Sequence, residues 1–228
     1  MLGRELKLIA YDTKADQAEA VNVANRLVAD GVVAVIGPAQ SGVGIAASAI
    51  FEDAGIPMIA TTATNEKLTV PEGSDEPLQY IFRTCFIDPY QGDVAATFAL
   101  KDLGLTKAGI LKDVGSDYST YLASYFESTF KAGGGTIVAN ESFRTEELEY
   151  KAQLSKIKEA GAELLFIPTM QKEAGLAMKQ ARELGMDCVF LGGDGWASVE
   201  LVELGGEATE GAYFVNIASL ADPTIADW

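Results

Sequence analysis

The sequence predicts an α/β protein of two doubly wound parallel-sheet lobes, the first of which is incomplete. Short apolar runs rich in β-branched residues alternate along the chain with amphipathic helical stretches, and this order produces parallel strands joined by right-handed crossovers. The alternation starts again after Asp88-Pro89, which indicates a second lobe. We therefore predict a partial first lobe over 1–85, a second lobe over 86–216, and a return crossing toward the first lobe over 217–228.

The first lobe is predicted to contain few strands, so its sheet is thin. In chain order, the expected elements are a strand at 5–12, a helix at 16–30, a strand at 32–36, a helix at 40–53, and strands at 58–60 and 79–85. Apolar residues at helical spacing indicate the first helix. The continuous apolar runs at 32–36 and 58–60 are typical of buried parallel strands. Gly55 and Pro57 end the second helix.

The second lobe is predicted as a longer series of the same kind. Helices are expected at 90–103, 118–131, 149–160, 172–184 and 199–204, and strands at 107–111, 136–143, 163–167, 188–191 and 212–216. Three of these helices are followed by a glycine that suits a helix C-terminus, namely Gly104, Gly161 and Gly185.

Charge and composition exclude several functions. The chain has 228 residues, no histidine and a net charge of −16. Nucleic acids and anionic membranes both need a basic face, which this chain does not offer. Without histidine, Ser-His and Cys-His nucleophiles and histidine metal sites are impossible. No apolar run is long enough to span a bilayer, and no signal peptide precedes the first predicted strand, so the protein is cytoplasmic or the chain is a trimmed piece.

The motifs of common α/β enzymes are absent or in the wrong context. The stretch GPAQSGVG at 37–44 lacks the Lys-Ser/Thr ending of a phosphate-binding loop. The stretch AGGGT at 132–136 follows a predicted helix, whereas a dinucleotide fingerprint follows a strand. No Gly-x-Ser-x-Gly elbow occurs. We therefore predict that the chain is not an enzyme and that it needs neither a cofactor nor a metal.

Two hydroxyl-bearing loops leave the carboxyl ends of neighbouring first-lobe strands, the edge where an open parallel sheet binds ligands. Ser41 opens a helix, where a hydroxyl and free N–H groups suit a carboxylate or a phosphate. Thr62 and Thr64 follow the next strand and suit the other end of a small polar ligand. Each residue alone also fits a structural role, with Ser41 as an N-cap and the threonines as turn residues.

Three second-lobe residues also follow the carboxyl ends of predicted strands. They are Tyr118, Met170 and Asp194, and Trp196 lies beside the last of them. Tyr118, Met170 and Trp196 could line a pocket for an apolar side chain, and Asp194 could bind a cation. In the structural alternative, Asp194 is an Asx-turn residue and the other three are packing residues.

Together the two sets of loops, facing each other across a cleft, suit an amino acid. Its α-carboxylate would bind Ser41 and backbone N–H groups. Its ammonium would bind Asp194, the Thr64 hydroxyl and a backbone carbonyl near Thr62. Charge-assisted hydrogen bonds of this kind are about twice as strong as neutral ones.

Five segments resemble the extracytoplasmic substrate-binding proteins of branched-chain amino acid ABC transporters. They are residues 11–38, 41–69, 81–92, 174–186 and 190–198. The resemblance implies a periplasmic-binding-protein type I fold, in which two hinged lobes close on a ligand. It implies a fragment, since the family has a further strand and helix before Leu2 and continues past Trp228 to complete the first lobe. It also implies an extracytoplasmic location, in the periplasm or as a cell-surface lipoprotein, with the signal sequence absent from this chain.

The resemblance assigns roles to the polar residues by position. Ser41 matches the serine that binds the α-carboxylate. Thr62 and Thr64 lie in the loop that matches the ammonium-binding loop. Asp194 matches the acidic partner of the ammonium.

The resemblance also implies residues that contact the ligand side chain. Ala39 and Gln40 fall where family members line the side-chain pocket. Tyr118 matches a tyrosine that closes over the ligand from the second lobe. Met170 occupies a place often held by an aromatic residue, so the shape of this pocket differs from the family pattern.

These observations predict a non-catalytic solute-binding protein that takes an aliphatic, branched-chain amino acid such as leucine. The expected macromolecular partner is the membrane permease of an ABC transporter, and the chain itself is not expected to span the membrane. Two alternatives remain open. One is a ligand-sensing regulatory or receptor domain of the same fold that binds a small amino acid or amide, and the other is an α/β enzyme acting on an amide or amino acid.

Overall fold

Two parallel sheets organise the chain, one in each of two compact units. The computed structural model describes Gly3 and residues 5–219, and the chain divides into a first unit, Met1–Cys85, and a second unit, Phe86–Trp228. Helices alternate with parallel strands in both units, so the predicted α/β class is confirmed. Residues 220–228, which hold most of the return crossing predicted at 217–228, lie outside the described residues.

The first unit contains a three-stranded sheet in the order β1-β2-β3. Its elements are α1 (Gln17–Ala29), β1 (Val35–Ile36), α2 (Ser41–Ala54), β2 (Met58–Ala60) and β3 (Ile81–Arg83). Helix α1 begins after Asp16, whose carboxylate accepts the backbone N–H of Glu19 as an N-cap. Helix α2 ends at Gly55, whose φ of +65° is a left-handed conformation that costs a glycine nothing.

The strand register separates the two faces of this sheet. Met58 pairs with Ile81, and both are buried in one apolar cluster with side chains of α1 and α2. The next row, formed by Ile36, Ile59 and Phe82, is in register across all three strands. Side chains one position apart point to opposite faces, and here Ile36 is 82% and Phe82 is 48% exposed. Helices α1 and α2 therefore cover one face of this sheet, and the apolar row on the other face is exposed.

The strand predicted at 5–12 is wrong, because these residues form no strand. Leu6 and Leu8, the apolar positions of the alternating pattern, are 78% and 89% exposed. A strand forms only where a neighbouring strand offers an edge for hydrogen bonding. The strand β1 pairs with β2 and is only two residues long, so it offers a very short edge. Ile9 and Tyr11 nevertheless pack against the first-unit core, which anchors this extended segment.

The second unit contains five parallel strands in the order β5-β4-β6-β7-β8. Its elements are α3 (Asp88–Thr97), β4 (Lys107–Asp113), α4 (Asp117–Ala132), β5 (Thr136–Phe143), α5 (Lys151–Glu159), β6 (Leu164–Phe166), α6 (Gln171–Glu183), β7 (Val189–Gly192), α7 (Val199–Gly205) and β8 (Tyr213–Phe214). All the helices and strands predicted for this lobe are present; β5 has the predicted ends, and each of the others is shifted at one end or both. The strand order reverses between β4 and β6, and such a switch point is where open α/β sheets bind ligands.

Helices pack on both faces of the second sheet. On one face, Phe126 of α4 stacks on Phe166 of β6 with ring centroids 3.9 Å apart. On the other, Leu165 belongs to a cluster with side chains of α5 and α6. Helix α3 lies against α4 so closely that a Cβ on Gly92 would be 2.6 Å from the Cβ of Tyr125. This contact positions the first turns of α3, which carry a residue of the candidate site.

Candidate functional site

The loops that follow β1 and β2 are hydrogen-bonded to each other at the carboxyl edge of the first sheet. The Thr62 hydroxyl donates to the backbone carbonyl of Ala39 at 3.1 Å. The backbone N–H of Asn65 donates to the Ser41 hydroxyl at 3.2 Å. The predicted first-lobe site residues that lie on these two joined loops are Ala39, Gln40, Ser41, Thr62 and Thr64.

The start of α2 offers backbone N–H groups to an anion. Ser41 is the first residue of this helix and is 2% exposed, and the N-cap is Gln40, whose side chain makes no capping hydrogen bond. The alternative that Ser41 is itself the N-cap is therefore wrong. A 14-residue helix concentrates partial positive charge at its first turn. With no capping oxygen from Gln40, this end of α2 suits a carboxylate.

Thr64 carries a buried hydroxyl that lacks a partner. The residue is fully buried, and its Oγ1 makes no hydrogen bond with any part of the chain that the structure describes. Thr62 differs, since it is exposed and its hydroxyl donates to the backbone carbonyl of Ala39. Leaving a buried hydroxyl unpaired costs about 1–3 kcal/mol. A polar ligand group at Thr64 would remove that cost.

In the second unit, Tyr118 and Asp194 are in direct contact. The Tyr118 hydroxyl, in the first turn of α4, donates to Asp194 Oδ1 at 3.0 Å and accepts the backbone N–H of Gly195 at 3.2 Å. Tyr118 is 4% exposed. Asp194 begins a 3₁₀ turn, Asp194–Trp196, that follows β7. The parallel sheet thus brings the residues after β4 and after β7 together at one edge.

Burial determines the electrostatics of this pair. Burial raises the pKa of the Asp194 carboxyl above its ordinary value, and the hydrogen bond from Tyr118 and the nearby Gln91 amide oppose the rise. Burial and the Asp194 charge raise the pKa of Tyr118 well above its ordinary value, so the phenol stays a donor. None of the ion pairs within residues 5–219 involves Asp194. A half-buried carboxylate has lost part of its hydration, and a cationic ligand would stabilise it.

Gln91 belongs to this cluster, although no motif in the sequence singles it out. It lies in α3 and is fully buried, and its Oε1 accepts the backbone N–H of Asp194 at 2.7 Å. The two residues are 103 positions apart, so no local pattern connects them. The only signal in the sequence is that Gln91 falls in the segment 81–92, which carries part of the family resemblance.

Met170 borders the same turn, whereas Trp196 does not line a site. Met170 is the half-buried N-cap of α6. A Cβ added to Gly195 would lie 3.2 Å from the Met170 Sδ and 3.3 Å from Tyr118 Cε1, so both side chains flank the Gly195 backbone. Trp196 is 1% exposed and its indole N–H donates to the carbonyl of Ile167 at 3.1 Å. Its predicted contact with a ligand is therefore wrong, since the ring is part of the core.

The predicted site residues thus form two groups, one on each unit, and each group is internally connected. Across Gly3 and residues 5–219, no cluster of three or more His, Cys, Asp or Glu side chains could hold a metal ion. No helix in that same part of the chain combines the length and the hydropathy that crossing a membrane requires.

Comparison with known sequences gives a family and a relative. The family described as "Periplasmic binding protein" matches residues 1–228. The Leu/Ile/Val-binding protein homolog 3 of Brucella melitensis is 31% identical over 214 residues, which cover 94% of this chain and 56% of the relative.

Two solved structures are similar in both sequence and fold. The leucine binding protein LivK from Thermotoga maritima is 36% identical with a TM-score of 0.86, covering 93% of this chain and 59% of LivK. The substrate binding protein LivJ from Streptococcus pneumoniae, solved in complex with isoleucine, is 34% identical with a TM-score of 0.84 and the same coverage. The chain therefore spans 56% to 59% of the length of these relatives.

Proposed function

We propose that this chain, which belongs to the periplasmic binding protein family, is part of a solute-binding protein for an ABC transporter that binds an aliphatic, branched-chain amino acid such as leucine. The proposed role is binding without catalysis. The names of the relatives support the ligand class, since they include a Leu/Ile/Val-binding protein homolog, a leucine binding protein and a protein in complex with isoleucine.

The observation that carries the proposal is the pair formed by the buried Tyr118 and the half-buried Asp194. The Asp194 carboxylate accepts a hydrogen bond of 3.0 Å from the Tyr118 hydroxyl and has no ion-pair partner among the described residues. An α-ammonium supplies the missing positive charge with the geometry of a hydrogen-bond donor. A neutral or anionic ligand that covered Asp194 would leave its charge uncompensated, which is unfavourable.

The first unit offers groups that suit the carboxylate end of an amino acid. The first-turn N–H groups of α2 and the Ser41 hydroxyl suit the α-carboxylate. The Thr64 hydroxyl, buried and without a partner in the described chain, suits the ammonium or the carboxylate. Thr62 contributes a backbone carbonyl in the same loop. The two units are therefore chemically complementary to the two ends of a zwitterion.

We infer the preferred side chain of the ligand from the apolar groups that lie next to Asp194. The Met170 thioether and the Tyr118 ring flank the backbone of Gly195, next to the carboxylate. Ala39 and Gln40 are the first-unit residues proposed to face the ligand side chain. This set accommodates a branched aliphatic group, since neither the thioether nor the ring could compensate a charged one.

The proposed partner is the membrane permease of an ABC transporter, and the proposed location is extracytoplasmic. Membership of the periplasmic binding protein family supports both. A net charge of −16 does not suit nucleic acid as a partner.

Titration calorimetry of the full-length protein tests the proposed ligand class. Leucine, isoleucine and valine are expected to release or absorb heat at a single site. Glutamate and lysine share the zwitterionic end but carry charged side chains, and we expect no binding from them. No heat with any aliphatic amino acid would refute the proposed function, and equal binding of all five would refute the proposed pocket.

A further inference from the structure

We propose that Gln91 is a positioning residue for ligand binding, which holds the Asp194 turn and its carboxylate in the binding geometry. The inference rests on the proposed function, because it gives Asp194 its role, but it concerns a residue on a different helix. Gln91 need not touch the ligand, since it acts through Asp194.

The first step is the main-chain contact. Gln91 is fully buried, and its Oε1 accepts the Asp194 N–H at 2.7 Å. The turn approaches the amide closely because Gly193 has no side chain, and a Cβ there would collide with Gln91 Oε1 and with the Tyr118 hydroxyl. Gln91 and Tyr118 thus hold the same turn from two helices.

The second step concerns the other end of the amide. Gln91 Nε2 is buried and makes no hydrogen bond to any described residue. The Gln91 side chain is nevertheless close enough to the Asp194 carboxyl to lower its pKa, against the effect of burial. The Gln91 amide therefore holds the backbone of Asp194 through Oε1 and keeps its second polar atom, Nε2, unpaired beside the same turn.

The third step is how the fold places Gln91. At Gly92, the next residue, a Cβ would lie 2.8 Å from the backbone nitrogen of Phe126 in α4. Helix α4 also carries Tyr118, so the α3–α4 contact brings Gln91 and Tyr118 to the same turn. The charged or titratable groups that bear on this turn are Asp194, Tyr118 and the buried Asp88 of α3, whose charge raises the pKa of Tyr118.

The variant Gln91→Met tests the inference in the full-length protein, because it keeps the length of the side chain and removes both polar atoms. The matched control is Gln180→Met. Gln180 is also a buried helical glutamine of the second unit, but its amide accepts the Tyr150 N–H and donates to the Leu148 carbonyl, both at 2.7 Å. Both variants are expected to lower Tm.

Only Gln91→Met is expected to weaken leucine binding, by roughly tenfold at pH 7. Its loss should grow as the pH is lowered to 5, because the carboxylate then protonates more readily than in the wild type. A purely structural role would give equal Tm losses and unchanged affinity in both variants, and that result would overturn the inference.

A ligand-free measurement separates this inference from the proposed function. The pKa of Asp194 can be followed by NMR in protein with ¹³C-labelled aspartate, and we expect a higher pKa in Gln91→Met than in the wild type or Gln180→Met. If the wild type binds no amino acid, the proposed function fails and the Asp194 titration still decides the role of Gln91. An unchanged Asp194 pKa would overturn the inference whatever the binding data show.

Discussion

The hydroxyl of Tyr118 donates a hydrogen bond of 3.0 Å to Asp194 across 76 positions of sequence. The contact joins the helix after the first strand of the second sheet to the turn after its fourth strand. The strand order explains why these two residues are in contact. The order of the strands reverses between β4 and β6, and the loops that follow the strands on either side of this point lie at the same carboxyl edge of the sheet. The consequences of this pair can be measured.

Asp194→Asn is expected to weaken leucine binding by a factor of 100 or more, about 3 kcal/mol, because the ammonium loses its counter-charge. The same change should not lower the Tm of the ligand-free protein. The pKa of Asp194 is raised in the folded state. The folded protein therefore loses stability as the pH rises from the unfolded-state pKa of this carboxyl to its folded-state pKa. Asparagine does not ionise, so the variant does not have this loss.

The matched control for this variant is Asp187→Asn, at an exposed carboxylate just before β7. It should leave both affinity and Tm unchanged. Calorimetry and thermal denaturation at pH 7 give both quantities. An Asp194→Asn protein with normal affinity would remove this residue from the site.

Tyr118→Phe removes one hydroxyl that serves two partners, Asp194 Oδ1 and the Gly195 N–H. We expect a loss of about 1–3 kcal/mol in the free energy of unfolding, because the Gly195 N–H loses its acceptor. Leucine affinity should fall roughly tenfold as the carboxylate loses a donor. Tyr90→Phe, at a side chain that is 59% exposed, serves as the control, and an equal effect of the two variants would contradict the account.

Thr64→Val should change stability and binding in opposite directions. The Thr64 Oγ1 is buried without a partner within the described residues, so an isosteric methyl group should stabilise the ligand-free protein by about 1 kcal/mol. Leucine binding should weaken, since the proposed polar contact is lost. Tm measured with and without saturating leucine reveals both effects. A lower Tm without ligand would show that the hydroxyl already has a partner.

Cys188 should be unreactive toward thiol reagents in the native protein at pH 8. Burial raises the pKa of its thiol to about 11, so almost no thiolate is present. The residue is also only 7% exposed. Labelling in a Cys85→Ser background, with and without denaturant, isolates the signal. Because the folded pKa is raised, the thiol should also reduce stability once the pH rises above about 9. Rapid native labelling at pH 8 would contradict the burial.

Periodicity and apolar runs were sufficient to predict most elements. The strands at 58–60 and 136–143 were predicted to the residue, because continuous apolar or alternating runs were bounded by glycine or proline. The strand at 5–12 was wrong for a physical reason, since alternation specifies which side chains face the core but supplies no pairing partner. Sheet pairing is a tertiary property and cannot be read from one segment.

The site residues also divide into those that a local sequence pattern predicts and those that depend on tertiary contacts. Asp194 and Tyr118 could be chosen from the sequence because each follows a predicted strand at its carboxyl end. Gln91 could not, since it lies inside a helix and acts through a backbone N–H 103 positions away. Trp196 was misjudged because aromatic residues next to a polar turn serve cores and pockets alike, and only its 1% exposure distinguishes the two.

The proposed site binds the charged end of an amino acid at both its ammonium and its carboxylate. Titration calorimetry of the full-length protein with leucine, isocaproate and isoamylamine is the sharpest test, because the two analogues keep the branched chain and lack the ammonium or the carboxylate. We expect binding of leucine and a loss of at least roughly a hundredfold for each analogue. Binding of either analogue with the affinity of leucine would contradict it.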